Sequence, residues 1–85
     1  MEHRAYVLIE TAMGKSREVV TALEQFDCLE SAERLAGPYD VMATIRARAV
    51  GEIHGVINDV IRPIDGIIRI VVCQSSTLLD AVTQT

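Results

Sequence analysis

The sequence has no tryptophan, one phenylalanine and two tyrosines. So few aromatics leave little to build the walled cavity that small cofactor-free enzymes place around a catalytic side chain. Cysteine is also scarce. Cys28 and Cys73 stand far apart, form no C-x-x-C and have no histidine cluster beside them. That spacing excludes the usual zinc and iron–sulfur patterns and gives no disulfide framework, so each cysteine reads as a small hydrophobe in a reducing compartment. No apolar run approaches membrane-spanning length. The run Ala5 to Ile9 is too short for a secretory h-region and stops at Glu10. These features point to the cytoplasm. Basic residues are outnumbered, eight Lys and Arg against twelve Asp and Glu, for a net charge of −4 and a pI near 5.0. A stand-alone nucleic-acid binder normally carries a basic patch, so direct nucleic-acid contact is not expected.

What is present is aliphatic. Of 85 residues 49% are hydrophobic, ample for one small domain over residues 1–85. A chain this size buries only about 60–65% of the surface its unfolded form exposes. The excess of apolar residues suggests burial against a second subunit. "RAYVLIET", Arg4 to Thr11, reads as a strand buried on both faces. From Ser16, a plausible N-cap, Val19, Val20, Ala22, Leu23 and Phe26 recur with helical spacing. Leu29 to Ala36 reads as a more polar edge strand, and Asp40 to Ala47 as a third, apolar one. Val50 to Ile61 is a second helix with Ile53, Val56, Ile57 and Val60 on one face, ended by Arg62-Pro63. Asp65-Gly66 turns the chain into a last strand, Ile67 to Cys73.

The order β-α-β-β-α-β carries a weak internal repeat. A shift of 34 residues sets Val7 on Val41, Val19 on Ile53, Leu23 on Ile57 and Phe26 on Val60. Two such halves make an α+β, ferredoxin-like fold: a four-stranded antiparallel sheet in the order 4-1-3-2, with both helices on one face. The other face is also rich in apolar residues. Tyr6 and Leu8 alternate with Val7 and Ile9, and Met42 with Val41 and Ala43. On the fourth strand Ile68, Ile70 and Val72 are expected to oppose Ile67, Val71 and Cys73. An uncovered apolar face of that size calls for a second copy, sheet against sheet, in a dimeric α/β-barrel type of assembly. The segment "TLLDAV" in the tail, 74–85, is too short to cover four strands.

Between strands two and three lies "GPYD", Gly37 to Asp40. Gly37 tolerates a positive φ, and Pro38 fits the second position of a tight turn. Asp40 either bonds the backbone of its own turn or offers a carboxylate to a ligand's ammonium. Tyr39 either packs at an interface or walls a small ligand. Arg69, a cation inside an apolar strand, stands out among the arginines.

With its turn in place, the chain resembles a known family, the effector-binding (RAM) domain of the Lrp/AsnC regulators. The resemblance covers residues 4 to 73 and rests on "AYVLIET", "REVVTALEQF", "GPYDVMATI" and "VINDVIRPIDGIIRIVV". In "RPIDGI" the Pro and Gly are more widely spaced than the family's usual adjacent pair. The resemblance implies sheet-mediated dimers and larger homo-oligomers that sense amino acids or related metabolites at subunit interfaces. It implicates Gly37, Tyr39 and Asp40, with Pro38 shaping the turn. A zwitterionic ligand needs further polar partners, and Ser75, Ser76 and Thr77 of a neighbouring subunit are candidates on that chemical ground. Full-length members carry a DNA-binding helix-turn-helix, whereas this chain opens directly on the first strand. It resembles the stand-alone form, whose partner would be a full-length, DNA-binding relative.

Two other readings compete. A cofactor-free enzyme of the dimeric α/β-barrel type would need a catalytic set. His3 sits at a terminus and His54 at the rim of a helix stripe, with no Ser-His-Asp set and no paired carboxylates. "GKS", Gly14 to Ser16, matches the end of a phosphate-binding loop, but Ile9 stands where its first glycine belongs. No catalytic residue, metal ligand or cofactor is expected. The third reading is a purely structural assembly module.

Overall fold

The computed structural model describes residues 3–74. β1, His3–Thr11, shows the period of a half-covered strand. Ala5, Val7, Ile9 and Thr11 are buried, and the residues between them are half-buried. The expected burial on both faces is therefore not met within one chain, because helices reach only one side of the sheet. β3, Val41–Ala47, repeats the pattern with Val41, Ala43, Ile45 and Ala47 buried. β2, Leu29–Arg34, and β4, Ile67–Gln74, flank them. The order is β2-β3-β1-β4, every pair antiparallel, as the β-α-β-β-α-β reading requires.

α1, Ser16–Glu24, buries Val19 and Leu23 against the sheet. Ser16 does not cap it. The helix begins one residue earlier than a Ser16 cap would allow, with Lys15 at the N-cap and no side-chain cap bond. Lys15 instead pairs with Glu18 at 3.2 Å. At the other end the Gln25 and Phe26 amides donate to the carbonyls of Ala22 and Leu23, a tightening of the last turn. Phe26 thus leaves the helical stripe and is 39% exposed.

α2, Val50–Val56, runs into a π-helical turn, Ile57–Ile61. Ile53, Ile57 and Ile61 are all buried at intervals of four. Residues four apart drift by about 40° around an α-helix. The wider π turn, with the Arg62 amide on the Ile57 carbonyl at 2.9 Å, takes up that drift and keeps the three isoleucines in line. The chain then turns through Gly66, whose φ is +99°. A Cβ there would lie 3.2 Å from that of Lys15, and its carbonyl accepts the Ala12 amide at 2.7 Å.

Val7 and Val41, Val19 and Ile53, and Leu23 and Ile57 all join one core. Three of the four repeat pairs are therefore equivalent core positions. β4 departs from the expected alternation. A register shift between Glu10 and Thr11 pairs Arg69 with Glu10 but Ile67 with Thr11. This bulge leaves Ile68 62% exposed and puts Ile67 beside Ile70 and Val72 against the core.

Candidate functional site

The far face of the sheet follows from the pairing. Leu8 lies between Met42 and Val71, and Tyr6 between Thr44 and Cys73. This apolar strip is half-buried at best except for Thr44, which is buried. Charge closes it at both ends. Arg4 and Arg46 stand opposite each other in register, and Glu30 bridges both guanidinium groups, at 3.5 Å to Arg4 and in direct contact with Arg46. At the other end Glu10 and Arg69 are register partners joined at 3.1 Å through Oε1 and Nη2. Exposed pairs of this kind contribute about 0–1 kcal/mol.

The Gly37–Asp40 segment adjoins the Glu10–Arg69 end. β2 stops at Arg34, two residues before the expected Ala36, and β3 begins at Val41. The loop is wider than a tight turn with Pro38 in second position. A single bond from the Leu35 amide to the Asp40 carbonyl, 2.7 Å, closes it. The Asp40 amide donates to the Ile9 carbonyl at 2.9 Å, which carries the β1–β3 pairing one residue beyond Val41. Gly37 has φ +137°, in the region that favours glycine, with open space where a side chain would stand.

Asp40 settles neither sequence alternative. Its Oδ2 accepts the Thr11 amide at 2.9 Å and the Thr11 hydroxyl at 3.2 Å. The carboxylate thus ties the loop to the end of β1, 29 residues back, rather than to its own turn. Tyr39 is half-buried, and the Arg69 guanidinium carbon lies 5.8 Å from its ring centroid. That distance is within cation–π range. The fold therefore brings Gly37, Pro38, Tyr39 and Asp40 together with Glu10, Thr11 and Arg69. Glu10 and Thr11 carried no local signal in the sequence, since each meets its partner across strands. Arg69 was visible as a cation in an apolar run. Ser75, Ser76 and Thr77, and with them the "TLLDAV" segment, lie outside the described residues.

Other features sit apart. A cleft of about 400 Å³ between the end of α1 and β2 is lined by Leu23, Phe26, Leu29 and Ala32, with Glu24 and Glu30 among its walls. It shares no residue with the loop. Among the described residues there is no group of three or more His, Cys, Asp or Glu able to hold a metal ion. Cys28 is exposed and Cys73 half-buried, both free. No helix among the described residues is long and apolar enough to cross a membrane.

A family model described as the Lrp/AsnC ligand-binding domain matches residues 4–84. Curated proteins give no match. Among solved structures, a hypothetical protein from Pyrococcus horikoshii is 25% identical, with a TM-score of 0.80 over 86% of this chain and 88% of its own. A protein from Thermus thermophilus is 23% identical, TM-score 0.81, over 86% and 91%. E. coli AsnC, 17% identical, superposes with a TM-score of 0.80 over 87% of this chain but only 50% of its own length.

Proposed function

The chain belongs to the Lrp/AsnC ligand-binding domain family, and from that premise we propose that it is a sensor of a small amino acid or close metabolite, bound at the Gly37–Asp40 loop. The observation that carries this reading is the loop itself. Asp40 fixes it to β1, and its Tyr39 stands beside Arg69 at the end of the uncovered face. A rigid loop next to an apolar face gives a ligand defined polar partners and a second subunit to complete its pocket. Backbone amides of the loop can donate to a carboxylate. Tyr39 walls the ligand, Gly37 and Pro38 set the backbone around it, and Asp40 presents Oδ1, Oδ2 being held by Thr11. Ser75 and Ser76 of a neighbouring copy are further candidates. The domain would act without catalysis, through a homodimer or larger homo-oligomer, by changing its assembly or by joining a DNA-binding family member.

The test is a thermal-shift screen of the twenty L-amino acids against wild type and Tyr39→Ala at fixed protein concentration. A ligand at 100 times its Kd stabilises by about 2.7 kcal/mol, several degrees in a domain this small. We expect one or a few amino acids to raise the wild-type midpoint and the rise to vanish in Tyr39→Ala. A rise that survives would move the site away from the loop. No rise with any of the twenty would end the sensor reading in favour of an assembly module.

A further inference from the structure

We propose that the Glu10–Arg69 ion pair is a zwitterion receptor, opened by an α-amino acid whose carboxylate takes Arg69 and whose ammonium takes Glu10. This rests on the sensor reading and names the two charged residues that would give the site its selectivity.

Three observations carry it. The pair joins two strands at the same end of the sheet as the Gly37–Asp40 loop, and Arg69 lies over the loop's Tyr39, so it borders the loop rather than an unrelated surface. It is accessible, with the Arg69 side chain 63% exposed. An exposed pair contributes little to stability, so opening it costs little. Finally, Arg69 is held from a second side by the face of Tyr39. A guanidinium within cation–π range of an aromatic face keeps an attractive partner when its carboxylate leaves, and its planar fork has donors for a bidentate carboxylate.

The opposite end of the sheet supplies the contrast. There Glu30 serves two guanidinium groups, Arg4 and Arg46, and has no single partner to exchange. Among the described residues Glu10 and Arg69 form a one-to-one ion pair. An α-amino acid carries the same two charges on adjacent carbons and can replace each half of the pair for the other. Glu10 adds to Asp40 rather than competing with it, because an ammonium has three donors. A ligand lacking either charge would leave one member of the opened pair without a partner. That predicts selection for free amino acids over their amides and over N-acetylated forms.

The experiment is calorimetric titration of each of the twenty L-amino acids into wild type, Arg69→Gln, Arg69→Lys and Glu10→Gln, with the matching amino-acid amide and N-acetyl amino acid beside each. For an amino acid that binds wild type, the amide should bind at least about tenfold more weakly, since a hydrogen bond to a charged group is worth that much. Arg69→Gln should weaken the free amino acid by a similar factor and leave the amide unchanged. Glu10→Gln should remove most of the preference over the N-acetyl form. Arg69→Lys keeps the charge and loses the fork, and should fall between wild type and Arg69→Gln. Wild-type affinity for the free amino acid in both Arg69 variants would overturn the receptor while leaving the sensor standing. Absence of binding to wild type by all twenty would overturn both, and the wild-type titrations alone distinguish that case.

Discussion

The Asp40 carboxylate reaches back across 29 residues to one threonine. Its Oδ2 answers a backbone amide that would otherwise end β1 unpaired and a hydroxyl on a residue that is buried. Hydrogen bonds to charged groups are worth about 1.5–3 kcal/mol, and partial exposure of Asp40 lowers that. Asp40→Ala is therefore expected to destabilise by about 1–2 kcal/mol in urea unfolding. Thr11→Val removes only the hydroxyl and should cost less, about 0.5–1.5 kcal/mol. The double variant should fall short of the sum by about 0.5–1 kcal/mol, since both changes delete the same bond. Additive losses would mean that the two residues act independently and that something else fixes the loop. The role of Asp40 was only half legible in the sequence. Its chemistry, a carboxylate after Gly-Pro-Tyr, was plain. Its partner was not, because the contact depends on β3 lying beside β1, and a local window cannot register that.

At the scale of elements, the apolar spacing read both helices and all four strands, since burial on one face imposes periods of 3.6 and 2. The misses cluster where a segment leaves its ideal geometry. Spacing alone extends α1 to Phe26, because residues 19, 23 and 26 fit one helical stripe. The helix instead tightens after Glu24 and turns toward β2, and Phe26 swings out. The bulge in β4 and the π turn after α2 are likewise invisible to a fixed period, each being one residue of slack taken up to keep the apolar side chains on the core. These departures have energetic consequences that separate the observed structure from the ideal one. Leu23→Ala, at a fully buried site, should cost about 2–5 kcal/mol. Phe26→Ala should cost under about 1.5 kcal/mol, against the 3–5 kcal/mol of a core phenylalanine. Equal losses in chemical unfolding would place Phe26 in the core after all.

For the whole molecule the asymmetry of the sheet is decisive. One face holds the complete core, Ala5 to Ile61, under two helices. The other presents Tyr6, Leu8, Met42, Val71 and Cys73, with charged pairs at its two ends and Glu33 beside Met42 on the β2 edge. Strips of that composition on small domains mark contact surfaces. A two-fold arrangement would set the same strip against itself, with the Gly37–Asp40 loops at the rim of the joint, where ligand and assembly can influence each other. Leu8 sits mid-strip between Met42 and Val71, so it is the position at which a charge harms assembly most and the core least. Wild type should sediment as a dimer or larger, with a melting midpoint that rises with protein concentration. Leu8→Arg should sediment as a monomer, keep its far-ultraviolet circular dichroism, and melt at a lower midpoint that no longer depends on concentration. A Leu8→Arg protein that still assembles would show that the subunits meet elsewhere, and the edge of β2 beside the cleft at the end of α1 would then be the surface to substitute next.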